Sequence, residues 1–137
     1  MQANPYQQYR ATVVETATPA QLVALLYQGV VRFTQRGLLA LERRDLAAAH
    51  EAFVRAQAIV LELTSNLDFE QGGEIARNLG SLYAFAYQRL LAANCRKEAA
   101  PAAEVVELFR TLLPAWQALA GKEAATAAAP AATSGRP

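Results

Sequence analysis

Residues 18–33 read TPAQLVALLYQGVVRF, and the folding of this stretch decides the architecture. Thr18 is a capping residue, Pro19 suits the first helical position, and Gln21 can reach back to complete a capping box. A helix therefore starts here. With each residue turned about 100° from the last, one face carries Leu22, Leu26, Gly29, Phe33 and, further on, Ala40. A second face, more than a quarter turn away, carries Val23, Tyr27, Val31 and Leu38, so that only Gln28, Arg32, Gln35 and Arg36 mark a wet side. A helix on the surface of a small domain needs one apolar stripe roughly 100° wide or somewhat more. The second face is surplus, and something has to cover it.

The rest of the chain also reads as helical, because alanine and leucine dominate and no run of alternating β-branched residues occurs. The first helix is expected from about Pro19 to Glu42, ending at the Arg43-Arg44-Asp45 turn. Asp45 caps a second, from about Leu46 to Asn66, with the stripe Leu46, Ala49, Phe53, Ala56, Val60, Leu63 and Leu67. The loop LDFEQGG follows, with Gly72-Gly73 as breakers. A third helix runs from about Glu74 to Cys95, with Ile75, Leu79, Leu82, Ala86, Leu90 and Ala93 on one side. Pro101 marks the start of a fourth, which reaches about Ala120 and carries Val105, Leu108, Phe109, Leu112, Trp116 and Leu119. Pro114 lies inside it, so a kink or local break is expected there. Four helices of about twenty residues with short connections predict an all-α fold, an antiparallel up-down four-helix bundle. The bundle is expected over residues 19–121. Residues 122–137, KEAATAAAPAATSGRP, hold no large apolar side chain and read as a disordered tail. Residues 1–18 form an N-terminal arm whose Tyr6, Tyr9, Val13 and Val14 are too apolar for an idle extension.

Composition narrows the function. Of 137 residues, 53% are hydrophobic and 18% are charged, and the formal net charge is +1. That is enough apolar material for a core, without the basic stripe of a nucleic-acid binder. Cys95 is the only cysteine, which excludes a disulfide framework and a zinc quartet and reads as an inert small hydrophobe. The opening MQANPYQQYR lacks the basic and apolar regions of a signal peptide. The apolar runs are too short for a membrane span, so a cytoplasmic location is expected. The single histidine, His50, has no glutamate three residues before it. It reads as a boundary histidine and not as a ligand, and no metal or other cofactor is implied. Neither a nucleophile elbow nor a phosphate loop is present. The chain does not read as an enzyme.

The third helix repeats the surplus of the first: Tyr83, Tyr87 and Leu91 share a face beside its main stripe, with Asn94 near the end. Tyrosine suits sites that are sometimes wet, because the ring packs while the hydroxyl finds a partner. The plain reading is a broad core with tyrosines at its rim. A groove for an extended or helical segment accounts in addition for the apolar arm. On that reading the groove is lined by Val23, Tyr27, Val31, Tyr83, Tyr87, Leu91 and Asn94, and the arm residues Tyr6, Tyr9, Val13 and Val14 act as its lid.

The ordered set Tyr9, Glu15-Thr16-Ala17-Thr18-Pro19, Leu22, Leu25-Leu26-Tyr27 and Gly29 resembles the N-terminal signature of the flagellar secretion chaperone FliS family. The middle of the chain is similar as well, through Arg55-Ala56, Glu62-Leu63, Leu67-Asp68, Gly72-Gly73-Glu74-Ile75-Ala76, Asn78-Leu79, Leu82-Tyr83, Leu90 and Ala93-Asn94. Trp116 fits an aromatic near the family's last helix. The likeness spans roughly residues 5–120. The chain departs from it at Gln28, where the family commonly has an acidic residue, and at Pro114.

The resemblance implies a small helical bundle that binds the C-terminal segment of flagellin in the cytoplasm and keeps it from polymerising prematurely. It also implies delivery to the flagellar type III export gate, with the gate met through the flagellin complex. The family's N-terminal arm occupies part of the groove when flagellin is absent. Neither nucleic acid nor a membrane is an expected partner. The alternative is a non-enzymatic helical module whose spare faces make a structural homodimer, and a weak homodimer of the free chaperone belongs to the same expectation.

Overall fold

The computed structural model describes residues 18–134, with side chains as far as residue 126. The proposed lid residues Tyr6, Tyr9, Val13 and Val14 lie outside the described residues. Among those described there are four helices and no strand: α1, Pro19–Glu42; α2, Leu46–Ser65; α3, Phe69–Arg96; and α4, Ala99–Ser134.

Local chemistry starts and stops each helix. The Thr18 hydroxyl accepts from the Gln21 amide at 3.2 Å while the Gln21 side chain accepts from the Thr18 amide at 2.9 Å, so two otherwise orphaned donors are satisfied reciprocally. Arg44 adopts a left-handed φ of 60° in the turn after α1. Asp45 then caps α2 through the Ala48 amide at 3.1 Å. Lys97, with φ 53° and ψ 47°, closes α3 in the left-handed conformation common at helix C-termini.

Two boundaries differ from the sequence reading. Helix α3 begins at Phe69 and not near Glu74, because the Asp68 carboxylate accepts from the Glu70 and Gln71 amides, both at 3.1 Å, and so starts a helical turn inside the expected loop. The break survives as a kink at Gly73, whose φ of 54° and ψ of −126° suit only a residue without Cβ. Helix α4 begins at Ala99, with Pro101 tolerated in its first turn, and continues through Pro114 to Ser134. It therefore passes the expected end near Ala120 and covers residues 122–134 of the expected tail. Alanine has the highest helix propensity of all residues, and that suffices to carry the helix into a segment with little to bury. The last three residues lie beyond the described range.

The described residues form two compact units, residues 26–111 and residues 18–25 with 112–134. All four helices contribute to the core of the 26–111 unit. Leu26, Tyr27, Val30 and Phe33 of α1 are buried, as are Phe53, Ile59, Val60 and Leu63 of α2. From α3 come Tyr83, Ala86, Leu90 and Ala93, and from α4 Ala102, Val105, Val106 and Phe109. Helices α1 and α2 approach closely at two glycines. A Cβ on Gly29 would lie 3.0 Å from the Ile59 side chain, and one on Gly37 within 2.7 Å of the Phe53 ring. The later glycine meets the earlier α2 residue, so the pair runs antiparallel. In the other unit Ala20, Ala24 and Ala120 are buried, and the Ala20 amide donates to the Glu123 carboxylate at 3.0 Å. That places a negative charge on the positive end of α1.

Three residues assigned to core stripes are exposed: Leu46, Ile75 and Leu119. Ile75 is 72% exposed because the buried line of α3 runs through Ala76, Tyr83, Ala86, Leu90 and Ala93, one position and about 100° away.

Gly37→Ala should lower stability by about 1–3 kcal/mol, since the Phe53 ring must leave its rotamer or the helices must separate. Urea unfolding followed by circular dichroism checks this, and an unchanged midpoint would show that the seam is looser than its geometry.

Candidate partner-binding surface

The tyrosines singled out by the sequence do meet, but inside the protein. Tyr27 of α1 and Tyr83 of α3 share a hydrogen bond between their hydroxyls at 2.7 Å. Their ring centroids are 6.2 Å apart at 84°, and the Phe109 ring of α4 lies 4.8 Å from that of Tyr27. Tyr27 is 0% exposed and Tyr83 is 1% exposed. Neither presents surface to a partner, whereas the sequence reading puts both on a groove wall. Each hydroxyl supplies the partner that water would otherwise have to provide, so the polar tips can be buried without being left unsatisfied. Burial first, and then the bond to Tyr27, push the Tyr83 phenol far above its ordinary range and keep it protonated.

The other candidate residues are distributed over several surfaces. Val31 is half-buried on α1, and Val23, also half-buried, belongs to the unit of residues 18–25 and 112–134. On α3, Tyr87 is half-buried, Leu91 is 39% exposed and Asn94 is buried. Asn94 is the centre of a small polar network. Its carbonyl oxygen accepts from Lys97 Nζ at 2.6 Å, and its amide nitrogen lies 2.9 Å from His50 Nδ1. With the oxygen engaged by an ammonium group, the amide nitrogen is the donor to His50. The histidine therefore accepts through Nδ1 and carries its hydrogen on Nε2. His50 is exposed on α2, so this bond ties the outer edge of α2 to the end of α3.

That tie reveals residues the sequence reading missed. Val54 and Leu61, 44% and 53% exposed, stand on the same face of α2 as His50, at helical spacings of four and seven. Tyr87 and Leu91 stand on the face of α3 that carries Asn94. The His50–Asn94 bond holds one end of each face beside the other; the apolar side chains of these faces are Val54 and Leu61 on α2 and Tyr87 and Leu91 on α3. The heptad step from Val54 to Leu61, offset from the main α2 stripe, is the signal in the sequence. A second apolar feature is a cleft of about 640 Å³ between α3 and α4, lined by Phe85, Ala100, Ala103 and Leu108 with Glu104 and Glu107 at its rim.

The described residues contain no group of three or more metal-ligating side chains and no helix long and apolar enough to cross a membrane. Cys95 is exposed and in the reduced form.

Comparison with known proteins gives one consistent result. The family described as Flagellar protein FliS matches residues 2–123. The chain is 38% identical over 112 residues to a Salmonella typhimurium protein named flagellar secretion chaperone FliS, a match covering 81% of this chain and 83% of that one. It is 32% identical over 114 residues to the Bacillus subtilis protein of the same name, covering 83% and 84%. The Campylobacter jejuni protein of that name is 33% identical over 120 residues, covering 88% and 91%.

Alkali should expose the tyrosine pair. The folded phenol of Tyr83 is raised above its unfolded value of about 10, so above that pH the unfolded chain binds fewer protons than the native one and stability falls. Tyr83→Phe removes this titration. Its stability should decline less steeply above about pH 10, by up to 1.4 kcal/mol per pH unit. Denaturant midpoints for both proteins across that range decide the matter, and parallel curves would contradict the buried assignment.

Proposed function

Because the chain belongs to the FliS family of flagellar secretion chaperones, we propose that it binds the C-terminal segment of flagellin and holds it unpolymerised until export. The relatives are named as chaperones, and the chain is not an enzyme. The observation that carries the reading is the family match over residues 2–123, supported by similarity that covers most of the length of each relative. In this reading the chaperone acts in the cytoplasm, and the bound flagellin brings it to the export gate.

The surface proposed for flagellin is the α2–α3 face of Val54, Leu61, Tyr87 and Leu91. An amphipathic or extended segment gains most from apolar anchors that are already exposed, because no core has to open to receive it. Tyr27 and Tyr83 then act indirectly, by holding α1 and α3 in register beneath that surface. Residues 1–18 are proposed as a lid that covers part of the surface until flagellin displaces it.

Calorimetry with a flagellin C-terminal peptide from the same genome tests the reading. A one-to-one complex is expected. Val54→Asp and Leu61→Asp should each weaken it by about 1–3 kcal/mol while thermal stability stays within about 0.5 kcal/mol. Full binding by both variants would move the site elsewhere, and a homodimer untouched by the peptide would favour the structural-module alternative.

The lid has its own test. Deleting residues 1–8 and replacing Tyr9 with alanine should leave peptide affinity unchanged or raise it by up to about ten-fold, since a competing cover no longer has to be displaced. Much weaker binding would show instead that the arm clamps over the bound segment.

A further inference from the structure

On the opposite edge of α2, three guanidinium groups converge on one aromatic ring. The carbon centres of Arg32, Arg36 and Arg55 lie 5.4, 5.1 and 5.7 Å from the centroid of Phe33. Phe33 itself is buried, so its ring is a floor beneath the three cations. Arg32 and Arg36 come from α1 and are exposed, while Arg55 reaches across from α2. Only one carboxylate answers them among the described residues: Glu51, one turn before Arg55, pairs with it at 3.1 Å. Between the two helices lies a cleft of about 290 Å³, lined by Phe33, Arg36, Ala48, Glu51, Ala52 and Arg55.

Three like charges within a Debye length repel one another unless an anion joins them, and a ring face offsets part of that cost by attracting each cation. Among the described residues the site is therefore held together by Phe33 and short of negative charge. We infer that this α1–α2 cleft is a docking site for an acidic segment of a partner protein, which places a carboxylate against Arg36 and Arg55 of its lining and an apolar neighbour on the Phe33 and Ala52 floor, with Arg32 close to the same ring. Guanidinium forks match carboxylates in bidentate geometry, and the Arg55–Glu51 pair shows a carboxylate already accommodated at the rim. The cleft volume sits at the small end of ligand sites, which suits one or two side chains and not a whole helix. A nucleic-acid strand is disfavoured because it needs cations repeated along a groove, and the chain's net charge is only +1. The inference does not rest on flagellin binding, since it concerns a different edge of α2 from Val54 and Leu61.

The test is a magnetic-resonance titration of the full chain with the blocked peptide acetyl-Gly-Glu-Leu-Glu-Gly-amide, read at the arginine Nε–H and Phe33 ring signals. Saturable shifts at Arg32, Arg36, Arg55 and Phe33 are expected. The affinity should fall several-fold between about 0.05 and 0.3 M salt. The double variant Arg36→Gln with Arg55→Gln should bind about ten-fold more weakly or worse, with its thermal melt showing that it folds. Should that variant unfold, Arg36→Lys keeps the charge but loses the fork, and it should still weaken binding several-fold. The inference is overturned by absent or unsaturable shifts, by equal binding of the glutamine version of the peptide, or by a variant of full affinity. Inorganic phosphate or a short oligothymidylate matching the peptide would also overturn it, in favour of a general anion site.

Discussion

Two phenol hydroxyls 2.7 Å apart decide which side of this protein is inside. Tyr27 and Tyr83 come from helices far apart in sequence, and Phe109 of a third helix packs edge-on against Tyr27 at 4.8 Å. A tyrosine in a core is costly when its hydroxyl is orphaned, and each member of this pair removes that cost for the other. The bond is therefore selective: it forms in one rotation of α1 and α3, and it sets which of their remaining residues face outward. Tyr87 and Leu91 are left at or near the outside of α3 as a consequence.

The arrangement explains how a small helical protein can keep apolar side chains in water and remain folded. The core is complete without Val54, Leu61 and Leu91, so their exposure removes little from its stability. Close approach of α1 and α2 at Gly29 and Gly37 adds to this by letting Ile59 and Phe53 fill space a Cβ would take. The proposed binding of a client segment would draw on this separation between a self-sufficient interior and exposed apolar side chains. The exposed His50, bonded to buried Asn94, ties α2 to the end of α3.

The charged edge of the same helix follows a different logic. Arg55 lies on α2 away from Val54 and Leu61, beside Phe33 and the two α1 arginines. One helix thus presents an apolar edge and a cationic edge, with its buried stripe between α1 and α3. The apolar edge suits burial of a client's hydrophobic face, and the cationic edge suits recognition by charge, which is weaker and more sensitive to salt.

The residues 18–33 determined the helical start at Thr18, because its capping box is a local arrangement that needs no neighbour. Alanine and leucine content, with breaks at Arg43–Asp45 and over the LDFEQGG stretch, likewise determined an all-helical chain of four segments. The Gly73 break and the Asp45 cap were legible for the same reason: they are set by backbone conformation and by hydrogen bonds within a few residues. Tertiary structure alone decided the roles of the two tyrosines. Helical spacing places Tyr27 and Tyr83 beside the main stripes, and from there each could equally be rim or groove. Only when the two hydroxyls find each other across 56 positions of sequence does burial become favourable. The α2–α3 pairing was hidden in the same way, since the contact between His50 and Asn94 that aligns the two helices joins residues 44 positions apart and no local pattern contains it. The extent of α4 was decided by alanine's helix propensity and by Glu123 reaching the start of α1, a pairing of residues 103 positions apart.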